Sequence, residues 1–300
     1  MKEFNTADIR NFSIVGHGSS GKTMLSEAML LCSGSITRLG SIAQGSTTSD
    51  YRSEEHKRQI SITSSMLHLE WQNQKFNVID APGYLDFLTD SLDALRVSDS
   101  ALVVINATQG VEVGTEIVWE YAERFQLPKV LVVNGLDKEH TDFDDLLGAI
   151  RGRFGKKVFP MTIPINSGPG FNQVLDVLRS EIVTYKTDGS GAFEEVPATG
   201  EWQDKVTALH GELIEFVAES DDTLLEKFFD QGGLSEEEMR AGIHDAVREE
   251  TFIPLFCTAA EQNIGVARLM DFIAKFGGTP ADRPSAKAKS ADGGEVAVNL

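Results

Sequence analysis

Apolar residues in the first 157 positions fall alternately into short continuous runs and into helical spacings. The runs NFSIV, MLHLEW, FNVID, ALVVIN and KVLVVN are strand-sized. Between them Leu25, Ala28, Met29 and Cys32 recur at the i, i+3, i+4, i+7 spacing of one helix face, as do Val118, Tyr121, Ala122 and Phe125. Strands alternating with helices predict a doubly wound α/β core, its mostly parallel sheet covered on both faces.

The rhythm breaks between residues 158 and 252. VFPMTIPI and NQVLDVLRSEIVTYK read as strands or strand–turn units, set apart by the turn-forming stretches NSGPG, TDGSG and PATG. Helices follow: Val206, Leu209, Leu213 and Phe216 share a face, and DDTLLEKFF and SEEEMRAGIHDAV continue the pattern. We expect an inserted α+β subdomain over 158–252, flanked by the core segments 1–157 and 253–284. The second core segment carries the strand FIPLFCTAA and a helix with Val266, Leu269, Met270 and Ile273 on one side. Residues 285–300 are small, polar and glycine-containing, which suits a linker. Their end, EVAVNL, alternates like the first strand of a following domain.

Charge narrows the classes of function. A net charge of −19 argues against non-specific nucleic-acid binding, which needs a basic footprint. No apolar run approaches the roughly 20 residues of a membrane span, and MKEFNTADIRNFSIVGH has no apolar signal-peptide core. The expectation is a cytoplasmic monomer with no membrane association. Cys32 and Cys257 sit in apolar contexts and are expected to be buried structural thiols. The six histidines show no ligand spacing with them, so structural zinc is not expected.

Four segments carry chemistry, each at the end of a predicted strand. Gly16, His17, Gly18, Ser19, Ser20, Gly21, Lys22 and Thr23 fit G-x-x-x-x-G-K-[ST] between a strand and a helix, the context of a phosphate-binding loop. Its backbone N–H groups and the helix N-terminus favour phosphate. Lys22 is expected to bridge the β- and γ-phosphates, and the Thr23 hydroxyl to ligate Mg²⁺; His17 is expected to be packed or backbone-bonded. Asp80, Ala81, Pro82 and Gly83 follow FNVID. Asp80 there can hold the Mg²⁺ shell through water, and the Gly83 N–H can sense a γ-phosphate. Asn134, Gly135, Leu136 and Asp137 follow KVLVVN; an aspartate at that place accepts two hydrogen bonds from guanine that adenine does not offer. Thr258 and Ala259 end the last core strand, where a backbone turn can meet the guanine carbonyl.

In these segments the chain resembles the G domain of bacterial elongation factor G over roughly residues 8–284. IRNFSIVGHGSSGKT is similar to that family's opening, DAPGYLDF to its D-T-P-G-H-V-D-F block, and CTAAEQNIGVARLMDF to its S-A-x-x-x-x-G-V closure. GSTTSDYRSEEHKRQISITSS resembles the first switch segment, and MTIPINSGPGFNQVLDVLRSEIVTYK the extra subdomain of that G domain. The resemblance implies a P-loop GTPase fold with GTP or GDP and Mg²⁺, and a ribosomal partner at the large subunit's GTPase-activating region. It also implies that Ser61 meets Mg²⁺ in place of the family's threonine. Tyr84 stands where the family's water-orienting histidine belongs, Gly135 replaces the guanine-stacking lysine, and Gln59 replaces a glycine. These departures resemble the divergent elongation factor G-like group. The family's later domains are missing from the sequence, which suggests a piece of a longer factor.

Two readings stay open. One is a Mg²⁺-dependent GTPase in which Lys22 meets the phosphates and Tyr84 stands at the water-orienting position. The other is a GTP/GDP-responsive docking module with little intrinsic hydrolysis. An ATP-using enzyme is disfavoured by Asp137 and the Thr258–Ala259 turn.

Overall fold

Ser100–Asn106 and Lys129–Asn134 are buried along almost their whole length, as strands with helices on both faces must be. They lie in the centre of a sheet in a computed structural model that describes residues 2–219, 221–231, 234–282, 286–290 and 294–298. In chain order the first half runs β1 (Ile9–Gly16), α1 (Lys22–Cys32), α2 (Ser53–Arg58), β2 (Ser65–Trp71), β3 (Gln74–Asp80) and α3 (Leu88–Val97). It continues with β4 (Ser100–Asn106), α4 (Val113–Arg124), β5 (Lys129–Asn134) and α5 (Phe143–Phe154). A short strand β6 (Val158–Pro160) precedes β7 (Thr162–Pro164), β8 (Gln173–Asp176), β9 (Glu181–Tyr185) and β10 (Phe193–Pro197). Helices α6 (Glu201–Ala218), α7 (Asp222–Gln231) and α8 (Glu236–Arg248) come next, then β11 (Ile253–Thr258) and α9 (Val266–Phe276). A hairpin of β12 (Ala286–Lys289) and β13 (Glu295–Val298) follows.

Among the described residues the main sheet has seven strands in the order β2-β3-β1-β4-β5-β11-β6. β2 is antiparallel to β3, and the other pairings are parallel. The expected doubly wound, mostly parallel core is present. After β1 the chain builds β2 and β3 on one side and then crosses through α3 to β4 on the other, so the strand order reverses at β1. Register fixes the consequence. Ile14 pairs with Asp80, Gly16 with Val104, and Asn134 with both Asn106 and Thr258. The carboxyl ends of β1, β3, β4, β5 and β11 thus form one rim, where open α/β sheets bind ligands. Phe12, Ile14, Leu25, Met29 and Leu102 are fully buried beneath it, and burying each such side chain contributes about 1.5–3 kcal/mol.

Two boundaries differ from the sequence reading. Val158–Pro160, read there as part of the insertion, pairs in parallel with β11 as the seventh strand of the main sheet. Their extended character agrees with the sequence reading, but the pairing partner that assigns them to the main sheet lies some hundred positions away. Residues 286–289 and 295–298, read within a linker, pair antiparallel with each other; Asn299 and Leu300 of the expected strand EVAVNL lie outside the described residues.

β7–β10 form a separate antiparallel sheet in the order β10-β9-β8-β7. Val206 and Leu213 of α6 are buried, and Leu209 and Phe216 pack against the core from the same face. Ser235 caps α8 through the Glu238 N–H, and the Glu238 carboxylate accepts in return from the Ser235 N–H. The small sheet meets α9 at Arg268, which is almost fully buried. Its guanidinium lies 3.4 Å from Asp176, 3.5 Å from Glu181 and 3.5 Å from Asp271, contacts Glu195, and stacks over the Phe193 ring at 5.2 Å. One buried cation thereby faces acids drawn from three strands of the small sheet and from its own helix, and Arg179 pairs with two of them, Glu195 and Asp271. Removing one partner of a buried ion pair typically costs about 3–5 kcal/mol. Arg268→Ala is therefore expected to lower unfolding stability by about that amount in urea titration; a loss below roughly 1 kcal/mol would show that water already screens the cluster.

Candidate nucleotide-binding site

The loop between β1 and α1 turns through Gly21, which caps the helix at φ 90°. A side chain there is excluded twice, by the left-handed backbone and by the Asn134 amide against which a Cβ would press. Asn134 is buried, and each end of its side chain is used. Its Nδ2 donates to Ser20 O at 3.1 Å, and its Oδ1 accepts from Ala260 N at 2.9 Å and the Thr258 hydroxyl at 3.1 Å. One amide so joins the phosphate loop, the end of β5 and the turn after β11. Backbone N–H groups of Gly135 and Leu136 add bonds to Thr258 O. Asp137 sits beside this junction with its side chain 14% exposed.

Lys22 is buried, and its Nζ donates to Gly16 O at 3.1 Å and His17 O at 2.6 Å. Burial is the main reason that its pKa falls to about 8, with Asp80 and Glu112 opposing the fall. Gly83 comes so close that a Cβ would strike both the Lys22 ammonium and His17 O; a glycine there brings switch backbone to the cation. His17 is backbone-bonded, as expected: its Nδ1 accepts from Gly114 N at 3.2 Å, and its Nε2 lies 3.4 Å from the Glu112 carboxylate.

Three oxygen-bearing side chains gather beside the loop. The Thr23 and Ser61 hydroxyls are 3.1 Å apart. Asp80 is 1% exposed, and burial raises its pKa to about 6 against the Ser49 and Thr23 hydroxyls and Lys22, which lower it. Ser26 Oγ donates to its Oδ2 at 3.4 Å, while its buried Oδ1 has no hydrogen bond of good geometry. An under-coordinated carboxylate oxygen with two hydroxyls is a hard donor set that fits Mg²⁺. Asp50, also buried, has its pKa raised by that burial.

Sequence reasoning missed what holds this switch segment. Glu27 of α1 accepts from Gly40 N at 3.1 Å and Thr48 N at 2.8 Å. Glu55 of α2 accepts from Arg52 N and Ile62 N at 3.0 Å and Thr63 N at 3.3 Å, and Asp90 from Ser64 N at 3.0 Å. The available signal for Glu27 was an acid set inside the apolar run MLSEAMLL. Gln59, where the resembled family has glycine, adopts φ 56° at the end of α2, a conformation that a glutamine holds at a cost of about 1 kcal/mol.

Tyr84 lies over the phosphate loop. Its ring is 3.1 Å from where a Cβ on Gly18 would be, and its hydroxyl is 3.4 Å from Ser19 Oγ. Ala81 is buried beneath, and Pro82 O accepts from the buried Ser91 hydroxyl at 2.6 Å. Of the two thiols, Cys257 is buried, while Cys32 is only half-buried, a correction to the expectation for both. Its place at the last turn of α1 leaves one side open, and burial still pushes its pKa up to about 11.

A strand-to-helix phosphate loop at the switch point of a mostly parallel sheet defines a P-loop GTPase G-domain fold. The chain belongs to the elongation factor Tu GTP binding domain family, whose match spans residues 7–277. It is 34% identical over 292 residues to elongation factor G of Mycoplasma pneumoniae and 33% identical over 291 residues to elongation factor G of Mycoplasma genitalium. These matches cover 97% of this chain but 42% of each factor. A crystal structure of a Thermus thermophilus protein superposes with a TM-score of 0.86 at 29% identity, covering 97% of this chain and 48% of that one. Among the described residues no helix is long and apolar enough to cross a membrane.

The buried ammonium gives a pH test. Because the folded pKa of Lys22 lies below the ordinary 10.5, its charged form opposes folding below about pH 8, and this penalty is relieved as pH rises from about 8 towards 10.5. Lys22→Met cannot titrate. Wild type is expected to gain on that variant by about 2 kcal/mol between roughly pH 7.5 and 9.5, read from paired urea titrations; a constant difference would place the ammonium in water.

Proposed function

We propose that the chain binds GTP and GDP with Mg²⁺ and hydrolyses GTP slowly, as the nucleotide-binding part of a translational factor of the elongation factor G kind. One observation carries the reading. Lys22, the Thr23–Ser61–Asp80 oxygen cluster and Asp137 stand along a single rim, with Asn134 bonding the loop, the base segment and the last turn together. Residues 16–23 and 80–84 take the phosphates, 134–137 with Thr258 and Ala259 the base, and Thr23, Ser61 and, through water, Asp80 the metal. The expected partner is the large subunit's GTPase-activating region of the ribosome, reached by a monomer in the cytoplasm.

The chemistry follows from these positions. Lys22 exchanges two neutral carbonyl acceptors for phosphate oxygens, which form stronger charge-assisted bonds. Mg²⁺, when bound, neutralises charge on the phosphate oxygens. Gly83, held beside Lys22, presents its N–H where a γ-phosphate ends, so the presence of that group is passed to the segment ending at Tyr84. Asp137 accepts from two donors on the guanine edge.

Base choice tests the assignment. Asp137→Asn replaces an acceptor with a donor, so preference is expected to pass from guanine to xanthine nucleotides, with GDP affinity falling about a hundredfold or more. Displacement of a fluorescent GDP by GTP, XTP and ATP measures it; ATP competing as well as GTP against wild type would end the guanine reading.

Tyr84 favours the second reading, a docking module with little turnover. A phenol hydroxyl donates to water readily but takes a proton poorly compared with imidazole, and here it already reaches Ser19. Losing a positioned acid–base group typically costs about 10²–10⁴ in rate. Tyr84→His is expected to speed single-turnover phosphate release by about a hundredfold. Fast release by the wild-type chain alone would sink this explanation.

A further inference from the structure

Gly135 places no side chain beside Asp137, and its φ of 86° suits glycine. The space is nevertheless lined. The Cγ of Lys138 lies 3.7 Å from where a Cβ on Gly135 would start. The turn is closed by Lys138 N donating to Gly135 O at 3.1 Å, and the Thr141 hydroxyl donates to Lys138 O at 3.2 Å. From there the side chain runs to the base-directed carboxylate, with Nζ 3.6 Å from Asp137 Oδ2, and ends on Glu261 Oε2 at 2.7 Å. Glu261 belongs to the turn after β11, two residues beyond Ala259. The lysine therefore spans both segments that face the base, with its methylenes beside Gly135 and its charge tethered at the far side.

Resting on the guanine-site reading above, we propose that Lys138 covers one face of the bound guanine, with Glu261 as its anchor. A purine held only by its edge to Asp137 leaves both flat faces in water. An alkyl stem laid on one face removes apolar area from water, and a tethered ammonium adds attraction to the ring's π-face. Glu261 fixes a four-carbon side chain that otherwise sweeps freely, so less ordering is needed when the base arrives. The competing account is an exposed ion pair with no ligand role, which is common at surfaces and worth little.

The test uses fluorescent GDP and IDP, whose purines differ at the edge but offer nearly the same face, with the whole 300-residue chain. Lys138→Ala is expected to weaken both nucleotides by the same factor, about tenfold. Lys138→Met, which keeps the stem, should stay within about threefold of wild type, and Glu261→Gln should lose about threefold through slackened anchoring. Thermal unfolding of each variant checks that the fold is retained. Unchanged affinity in Lys138→Ala, while Asp137→Asn still redirects base choice, overturns the proposal and leaves the guanine site standing. Loss of GDP but not IDP affinity in Lys138→Ala overturns it too, because the lysine would then read the edge. If Asp137→Asn also changes nothing, the guanine site itself falls and this inference with it.

Discussion

Burying one ammonium is the constraint around which the nucleotide end of this fold is arranged. Lys22 is the first residue of α1, beyond the loop that follows β1, and is buried where water does not solvate it. Charge in such a place must be met by dipoles or by another charge. The loop supplies the carbonyls of Gly16 and His17, and Asp80 and Glu112 lie close enough to raise the pKa that burial lowers. Gly83 is confined to a residue without a side chain by the same crowding. His17 keeps its carbonyl aimed at the ammonium because its ring is held from the other side by Gly114 and Glu112. The cluster is compact, but neutral carbonyls are weaker acceptors than phosphate oxygens, so the arrangement is best completed by an anion.

Two kinds of support surround this centre. The frame is made by Asn134, whose single amide ties three loops and is itself pinned by the absence of a side chain at Gly21. Those bonds are buried, so breaking one strands its partner. The switch segment is held differently, by carboxylates that accept from backbone N–H groups: Glu27 at Gly40 and Thr48, Glu55 at Ile62 and Thr63, Asp90 at Ser64. Hydrogen bonds to charged acceptors contribute about 1.5–3 kcal/mol each, and Glu27 and Glu55 are themselves buried, so releasing the segment leaves each carboxylate short of its partners. The frame is thus tied by a neutral amide and the switch segment by carboxylates, two supports that fail separately.

How much of this could be read from the sequence depended on whether a signal was periodic. β1, β4 and β5 announced themselves as apolar runs, and the segments at 16–23, 80–83 and 134–137 followed from lying at their ends. β6, inside the run VFPMTIPI, was legible as extended chain but not as a strand of the main sheet, because its partner β11 is distant in sequence. β10, FEEVP, has four exposed residues of five and was invisible to an apolar search. The carboxylate staples of Glu27 and Glu55 and the span of Lys138 are side-chain contacts without a repeat, legible only once the backbone places them. Tyr84 was legible as a position but not as a contact: its ring lies on Gly18, across the loop.

The departures from the resembled family divide by what each does to the chemistry. Ser61 for threonine keeps the hydroxyl, and its 3.1 Å contact with Thr23 shows that the shorter side chain reaches the oxygen cluster. Gln59 for glycine keeps the backbone path at the expense of a strained φ. Gly135 for lysine removes a side chain, but Lys138 fills the neighbouring space from three residues further on. In each of these, geometry survives a change of residue. Tyr84 is of another kind, because the imidazole of the loop itself does not take over: His17 is committed at both nitrogens to Gly114 and Glu112. On the proposed function, the groups assigned to the nucleotide are preserved or compensated, while the position assigned to orienting water carries a phenol already engaged with the loop. The proposed function assigns binding and turnover to different residues, and only the second lacks the acid–base group of the resembled family.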